Sequence, residues 1–216
     1  MNMHRTPLPR RLAAATQSIF ITFLAVAGAA AAHADAVADK AYLKWQRQWE
    51  LAAFLDTLPL PFFQTQQKSV DVSLSVDIAA DTDAVFAFLS DIRNHDQLQP
   101  FVREIIVHNS YQNELGNEII EFTAIEDIPI GVFTIPNAVY AKQEIHVNDR
   151  FYESDTYSFP HIKLHVRDDV IAIGEGQTRI NETIHFTAHE KLIDFTVSEG
   201  TRAHQETLDT LKSLME

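Results

Sequence analysis

Residues 190–215, EKLIDFTVSEGTRAHQETLDTLKSLM, decide the fold. Ile193, Val197, Gly200, His204, Leu208, Leu211 and Met215 recur at helical spacing and form one stripe, with Asp194, Glu199, Arg202, Gln205, Glu206, Asp209 and Lys212 on the other faces. The segment therefore reads as an amphipathic helix with one side to bury. Thr187 and Glu190 have the spacing of a capping box and mark its expected start. At about 1.5 Å per residue the helix is a rod of about 39 Å, long enough to cross a small sheet. Gly200 weakens a helix interior by about 1 kcal/mol relative to alanine, which implies a bend or the close approach of another backbone. His204 puts a titratable ring on the apolar face, either hydrogen-bonded within the core or lining a cavity between helix and sheet. Phe195 falls opposite the stripe, where the N-terminal helix packs or where the last strand has not yet ended.

Working upstream, the chain reads as the sheet that this helix covers. Val70, Val72, Leu74, Val76 and Ile78 alternate with polar residues, the pattern of a half-buried strand. Asp81 is a good N-cap for a short helix carrying Val85, Phe86, Phe88 and Leu89, and Asn94 opens a second that Pro100 stops. Residues 103–109, 118–126, 132–147, 151–159, 162–173 and 179–187 are rich in Ile, Val, Phe, Tyr and Thr. They are separated by turn signals at 115–117, 129–131, 148–149 and 174–176. Consecutive strands with short connections pair antiparallel, and the one long helix covers their apolar face.

The N-terminus is of another kind. Arg5, Arg10 and Arg11 precede an apolar run from Ile19 to Ala32, and Ala32-His33-Ala34 has the form of a cleavage site, so residues 1–34 read as a secretory signal peptide. An uncleaved anchor is the alternative, but the run falls below the roughly 20 apolar residues of a spanning helix. Residues 35–69 form a second segment: a helix from Ala38 to about Leu58, ended by Pro59 and Pro61, then a short linker. Ala38, Ala41, Tyr42, Trp45, Trp49 and Ala52 make one stripe of that helix, and Leu43, Leu51, Phe54 and Leu58 lie opposite. Two apolar faces fit a clamp on the chain's own domain, a lid on a cavity, or a docking helix for a protein partner through residues 38–58.

The formal charge of −13 opposes binding to phosphate backbones and anionic lipid surfaces, so no nucleic-acid partner is expected. With no cysteine, the fold depends on its core and not on disulfides. A phosphate-binding glycine loop, a G-x-S-x-G elbow and an H-E-x-x-H motif are all missing from the sequence.

The first strand running into IAADTDAVFAFLSDIRNHDQL (78–98), then PFVREIIV (100–107), then EGQTRINETIHFTA (175–188) leading into the last helix, resembles the START / polyketide cyclase superfamily, also called SRPBCC or the birch-pollen-allergen helix-grip fold. The likeness covers residues 70–216, taken as the START-like domain. Asp83, Val85, Phe86, Leu89, Asp91, Gly116, Thr178 and Leu211 fall where such sequences carry similar types. The resemblance implies an α+β helix-grip fold: a curved antiparallel sheet wrapped around a long C-terminal helix, two short helices after the first strand, and a hydrophobic cavity between sheet and helix. Members bind lipids, sterols, quinones, plant hormones or aromatic polyketides, and some are enzymes whose pocket residues differ from branch to branch. No catalytic residue and no cofactor carries over.

On this reading the first expectation is a periplasmic or secreted carrier of a small hydrophobic ligand: a lipid, a sterol or an isoprenoid-like molecule. Its polar contacts would come from His204, Thr201 and Glu182. Its walls would come from Gly200, Val197 and Leu208 of the helix, Ile184 and Phe186 of the preceding strand, and Val139, Ala141 and Ile145 of an earlier one. Period-two alternation aims Glu182 into the cavity, unless a one-residue bulge turns it to water. The second expectation is a cyclase, dehydratase or hydrolase with His204 and Glu182 as acid and base. The third is an envelope interaction module acting through the tryptophan helix. Ile162, Leu164 and Val166 inward would leave His161 and His165 facing solvent, and His185 and His189 are likewise unsupported as ligands, so no metal site is expected. Arg93 and Arg167 are expected to pair with neighbouring surface acids such as Asp91 and Asp168.

Overall fold

Strand follows strand with short connections, so the chain builds its sheet mostly from neighbours in sequence. The computed structural model describes residues 38–56, 66–99, 101–130 and 133–216. The expected signal peptide at 1–34 and most of the expected linker lie outside them. The chain divides into two compact units, residues 1–43 and 44–216. In the first, residues 38–43 are helical; in the second, α1 covers residues 44–56.

The second unit continues with β1 (Gln67–Ile78), α2 (Thr82–Ser90), a 3-10 turn (Ile92–Asn94) and α3 (His95–Leu98). Then come β2 (Val102–Gln112), β3 (Glu118–Ile130), β4 (Phe133–His146), β5 (Phe151–Ser158), β6 (Ile162–Gly174), β7 (Gln177–His189) and α4 (Ile193–Met215). Among the described residues the strands form one seven-stranded antiparallel sheet in the order β1-β7-β6-β5-β4-β3-β2. The first strand closes on the last because β1 pairs along its whole length with β7, from Gln67 opposite His189 to Ile78 opposite Thr178. One face of the sheet carries the core. Ile78, Leu89, Ile120, Phe122, Ile180 and Leu208 belong to its larger cluster, and Ile184, Phe186, Ala188 and Ile193 to a second one beneath the start of α4.

Asp81 caps α2 as expected, its carboxylate accepting from the Asp83 and Ala84 amides. The expected capping box is not formed. Thr187 lies within β7, its hydroxyl 2.8 Å from that of Ser69 across the β1 pairing, and α4 starts only at Ile193 with no side-chain cap. Strand pairing continues to His189, so the residues read as a helix start are held in the sheet. α1 packs through one stripe: Trp45 and Ala52 are buried, Trp45 Nε1 donates to the Ala141 carbonyl at 3.2 Å, and the Trp45 and Trp49 rings stack at 5.2 Å. The opposite stripe, with Leu51 and Phe54, is exposed. Among the described residues no helix is long and apolar enough to cross a membrane.

Candidate ligand cavity

Each strand of the sheet shows every second side chain to α4. Where α4 lifts away from the sheet, a cavity of about 500 Å³ opens. Phe122 and Ala124 of β3, Val139 and Ala141 of β4, and Ile162 and Leu164 of β6 give it apolar walls. Tyr152, Ser154, Thr156 and Ser158, the inward positions of β5, add a line of hydroxyls. From α4 come Phe195, Thr196, Glu199, Gly200, Ala203 and His204, then Thr207 and Leu208.

Gly200 is needed for this seat. A Cβ there would lie 2.5 Å from Cε1 and 2.9 Å from Cζ of Phe186, so the close neighbour is an aromatic ring and not a backbone. Phe186 is fully buried and forms wall as well as core.

The deep wall is polar. Tyr152, Asp168 and Glu182 are direct cross-strand partners on β5, β6 and β7, and all three line the cavity. His204 reaches down from α4, its Nδ1 2.7 Å from Glu182 Oε1. Burial works against charge on His204, but Glu182, through its charge and its hydrogen bond, raises the ring's pKa above the ordinary value. Asp168 is 1 % exposed and Glu182 5 %. Neither Asp168 oxygen has a hydrogen-bond partner, nor has Glu182 Oε2. The Tyr152 hydroxyl acts on the Asp168 charge but lies outside good hydrogen-bonding geometry. Burial first, and then the charge of Glu182, push the Asp168 carboxyl well above its usual range. Burial raises Glu126 too, against the stabilising amide of its cross-strand partner Asn137, and both line the cavity. His95, buried, is hydrogen-bonded through Nε2 to the Leu89 carbonyl at 2.8 Å, and burial lowers its pKa.

Of the residues singled out from the sequence, the structure brings His204, Glu182, Gly200, Leu208, Phe186, Val139 and Ala141 to the cavity. It places four elsewhere. Val197 and Ile184 pack into the cluster with Ile193 and Val72, because the cavity-facing side of α4 is turned from the stripe that buries against β1 and β7. Thr201 falls on that same flank, its hydroxyl buried without a partner. Ile145 belongs to the core with Val85 and Leu89. Phe195, expected to face away, lines the cavity while remaining partly exposed.

Asp168 corrects a second reading. Arg167 does not pair with it but with Asp169 and Glu153, both at 2.8 Å on the outer face, while Asp168 points inward. The signal was in the alternation: the period that puts Ile162, Leu164 and Val166 inside reaches Asp168 one step later. Tyr152, Glu126 and His95 also went unnoticed as site residues. Arg93 pairs with Asp91 at 3.1 Å. His165 is exposed beside Asp155 at 2.8 Å, whereas His161 is only partly exposed and meets the Tyr157 hydroxyl at 2.8 Å.

The sheet order, the long closing helix and the cavity between them define a helix-grip fold, and comparison with solved structures agrees. The aromatase/cyclase Zhui from Streptomyces sp. R1128 superposes with a TM-score of 0.51 at 12 % identity, over 67 % of this chain and 94 % of that one. The di-domain aromatase/cyclase StfQ of the steffimycin biosynthetic pathway gives 0.53 at 14 % identity, over 67 % of this chain and 45 % of its own length. Ara h 8.0201 gives 0.51 at 14 % identity, over 68 % of this chain and 98 % of that one. No protein-family model matches the sequence, and no curated protein does. The chain has the helix-grip fold of the START / polyketide cyclase (SRPBCC) superfamily.

Proposed function

We propose that the protein binds a small hydrophobic ligand in the cavity between sheet and α4, and that it works as a carrier in the periplasm or outside the cell. The observation that carries the reading is the cavity itself: about 500 Å³ of preformed, largely apolar space in a folded core, with a few buried polar groups grouped on one wall. An apolar molecule gains about 25 cal/mol for each Å² it removes from water, and the polar wall fixes its orientation. The basic and apolar stretches of residues 1–34 support export. Lipids, sterols and isoprenoid-like molecules are the ligand classes of suitable character.

The test is uptake of the neutral dye Nile red, with native mass spectrometry of protein taken from the exported fraction of cells. Dye fluorescence should rise on binding, and Ala203→Phe, which projects a ring into the cavity from α4, should abolish the rise in a folded protein. A protein that takes up no dye and carries no organic molecule is not such a carrier.

One observation favours a second reading, an acid–base enzyme: a histidine and a carboxylate 2.7 Å apart on the wall of a cavity can move a proton to and from a bound molecule. The relatives named aromatase/cyclase lend it support. It requires that a captured ligand be chemically changed on incubation, and that His204→Gln and Glu182→Gln each prevent the change.

A further inference from the structure

We infer that the cavity selects a hydrophobic amine, whose ammonium group is held by the unpartnered carboxylate oxygens of Asp168 and Glu182. The inference rests on the reading of the cavity as a ligand site and adds the chemistry of the ligand's polar end.

The buried polar wall holds more acceptors than donors placed to meet them. Both oxygens of Asp168 and Oε2 of Glu182 are buried without a hydrogen bond, and the two residues are direct partners on adjacent strands, so these oxygens converge on one part of the cavity. An unsatisfied buried acceptor costs about 1–3 kcal/mol, more when charged. Native cores rarely keep several together unless something else supplies the donors. The ring nitrogens His204 Nδ1 and His95 Nε2 are engaged with Glu182 Oε1 and the Leu89 carbonyl, and the hydroxyls of Tyr152 and Thr196 in the lining close no hydrogen bond on these oxygens. An ammonium brings three donors and a charge, whereas a hydroxyl brings one donor and none.

The charge balance points the same way. Glu126, Asp168, Glu182 and Glu199 line the cavity against His95 and His204, and among the described residues the lining contains no lysine or arginine. A carboxylate or phosphate head would meet like charge, with His204, already paired to Glu182, as the nearest cationic group, which sets fatty acids and phospholipids apart from the ligand. Burial, with the charges of Glu182 from β7 and of Asp169 beside it, favours the protonated form of Asp168, against the opposing pull of Tyr152 from β5 and His204 from α4. A cation brought to the carboxyl reverses that preference. The hydroxyls of Ser154, Thr156 and Ser158 can donate or accept and do not discriminate between heads.

Displacement of Nile red by three molecules with one apolar body and different heads tests this: naphthylethylamine, naphthylethanol and naphthylacetate. The amine should displace the dye at about tenfold lower concentration than the alcohol, with the carboxylate weakest. In Asp168→Asn, folded by circular dichroism, the advantage of amine over alcohol should shrink to about threefold or less. The amine reading is overturned if the carboxylate displaces as well as the amine, if none of the three displaces the dye, or if the advantage survives in Asp168→Asn. Failure to take up Nile red at all is a different result and sinks the cavity as a ligand site.

Discussion

The His204 ring and the Glu182 carboxylate meet at 2.7 Å across the seam between α4 and the strand that leads into it. Removing one member strands the other in a buried place, a loss of about 3–5 kcal/mol for a buried ion pair, whereas replacing both with apolar groups is often neutral. His204→Leu should therefore destabilise strongly in urea unfolding at neutral pH, and His204→Leu/Glu182→Leu should recover most of the loss. Because the folded-state pKa of His204 is raised, its contribution is complete below the ordinary value of 6.5 and is lost as pH rises through the raised one. Wild-type stability should accordingly fall relative to the double variant as pH rises from the ordinary histidine value through the raised one. A double variant no more stable than His204→Leu would show that the pair is not the source of the loss.

Asp168 behaves in the opposite sense to a salt-bridged carboxylate. Its pKa is raised in the folded protein, so the native state binds the proton more tightly than the unfolded chain does, and stability is greatest below the ordinary value of 3.8 and declines as pH climbs toward the raised one. Asp168→Asn removes the ionisation and should stabilise the empty protein by about 1–3 kcal/mol at pH 7, with the gain fading toward pH 4. Thermal melts of the two proteins across that range measure it. A destabilised Asn variant at pH 7 would mean that the carboxylate has a donor after all.

Periodicity made the architecture legible. Strict alternation in 70–78 and in the later strands, and the stripe from Ile193 to Met215, each demand one buried face, and a sheet covered by a helix satisfies both. His204 and Glu182 were legible for the same reason, as polar residues at positions whose neighbours in period are apolar. Asp168 obeyed that rule and was missed because Asp169 follows it, so the doublet beside Arg167 reads as surface charge until the strand is extended. The helix start at Ile193 depends on how far β1 and β7 pair, a contact between residues far apart in sequence that local capping signals do not report. Which flank of α4 faces the cavity is set by where the helix lifts from the sheet, and Val197, Thr201 and Phe195 were misassigned on that account.

Gly200 and Phe186 form a matched pair. Alanine at 200 would set its methyl within 2.5 Å of the ring, an overlap costing about 1–3 kcal/mol, against a gain of about 1 kcal/mol in helix propensity. Gly200→Ala should be destabilising in the wild-type background and neutral or stabilising in Phe186→Leu, where the ring edge is gone. A double-mutant cycle by urea unfolding measures the coupling, and independence of the two substitutions would show that Gly200 is kept for another reason.

Both tryptophans of the chain lie in α1, so intrinsic tryptophan emission reports that helix alone. Trp45 is buried and bonded to the Ala141 carbonyl, on a strand whose other face lines the cavity, and no residue of α1 lines the cavity itself. The described residues 44–56 thus pack on the sheet outside the cavity lining, which predicts that their stability is separate from that of the site. Trp45→Ala should remove about 3–5 kcal/mol of local packing and expose the amides of residues 44–56 to rapid hydrogen exchange, while those of β3 and β4 stay protected and Nile red uptake is retained. Loss of dye binding together with α1 would show that the clamp shapes the cavity through β4, and coincident unfolding by tryptophan emission and far-ultraviolet circular dichroism would show that α1 and the sheet melt as one unit.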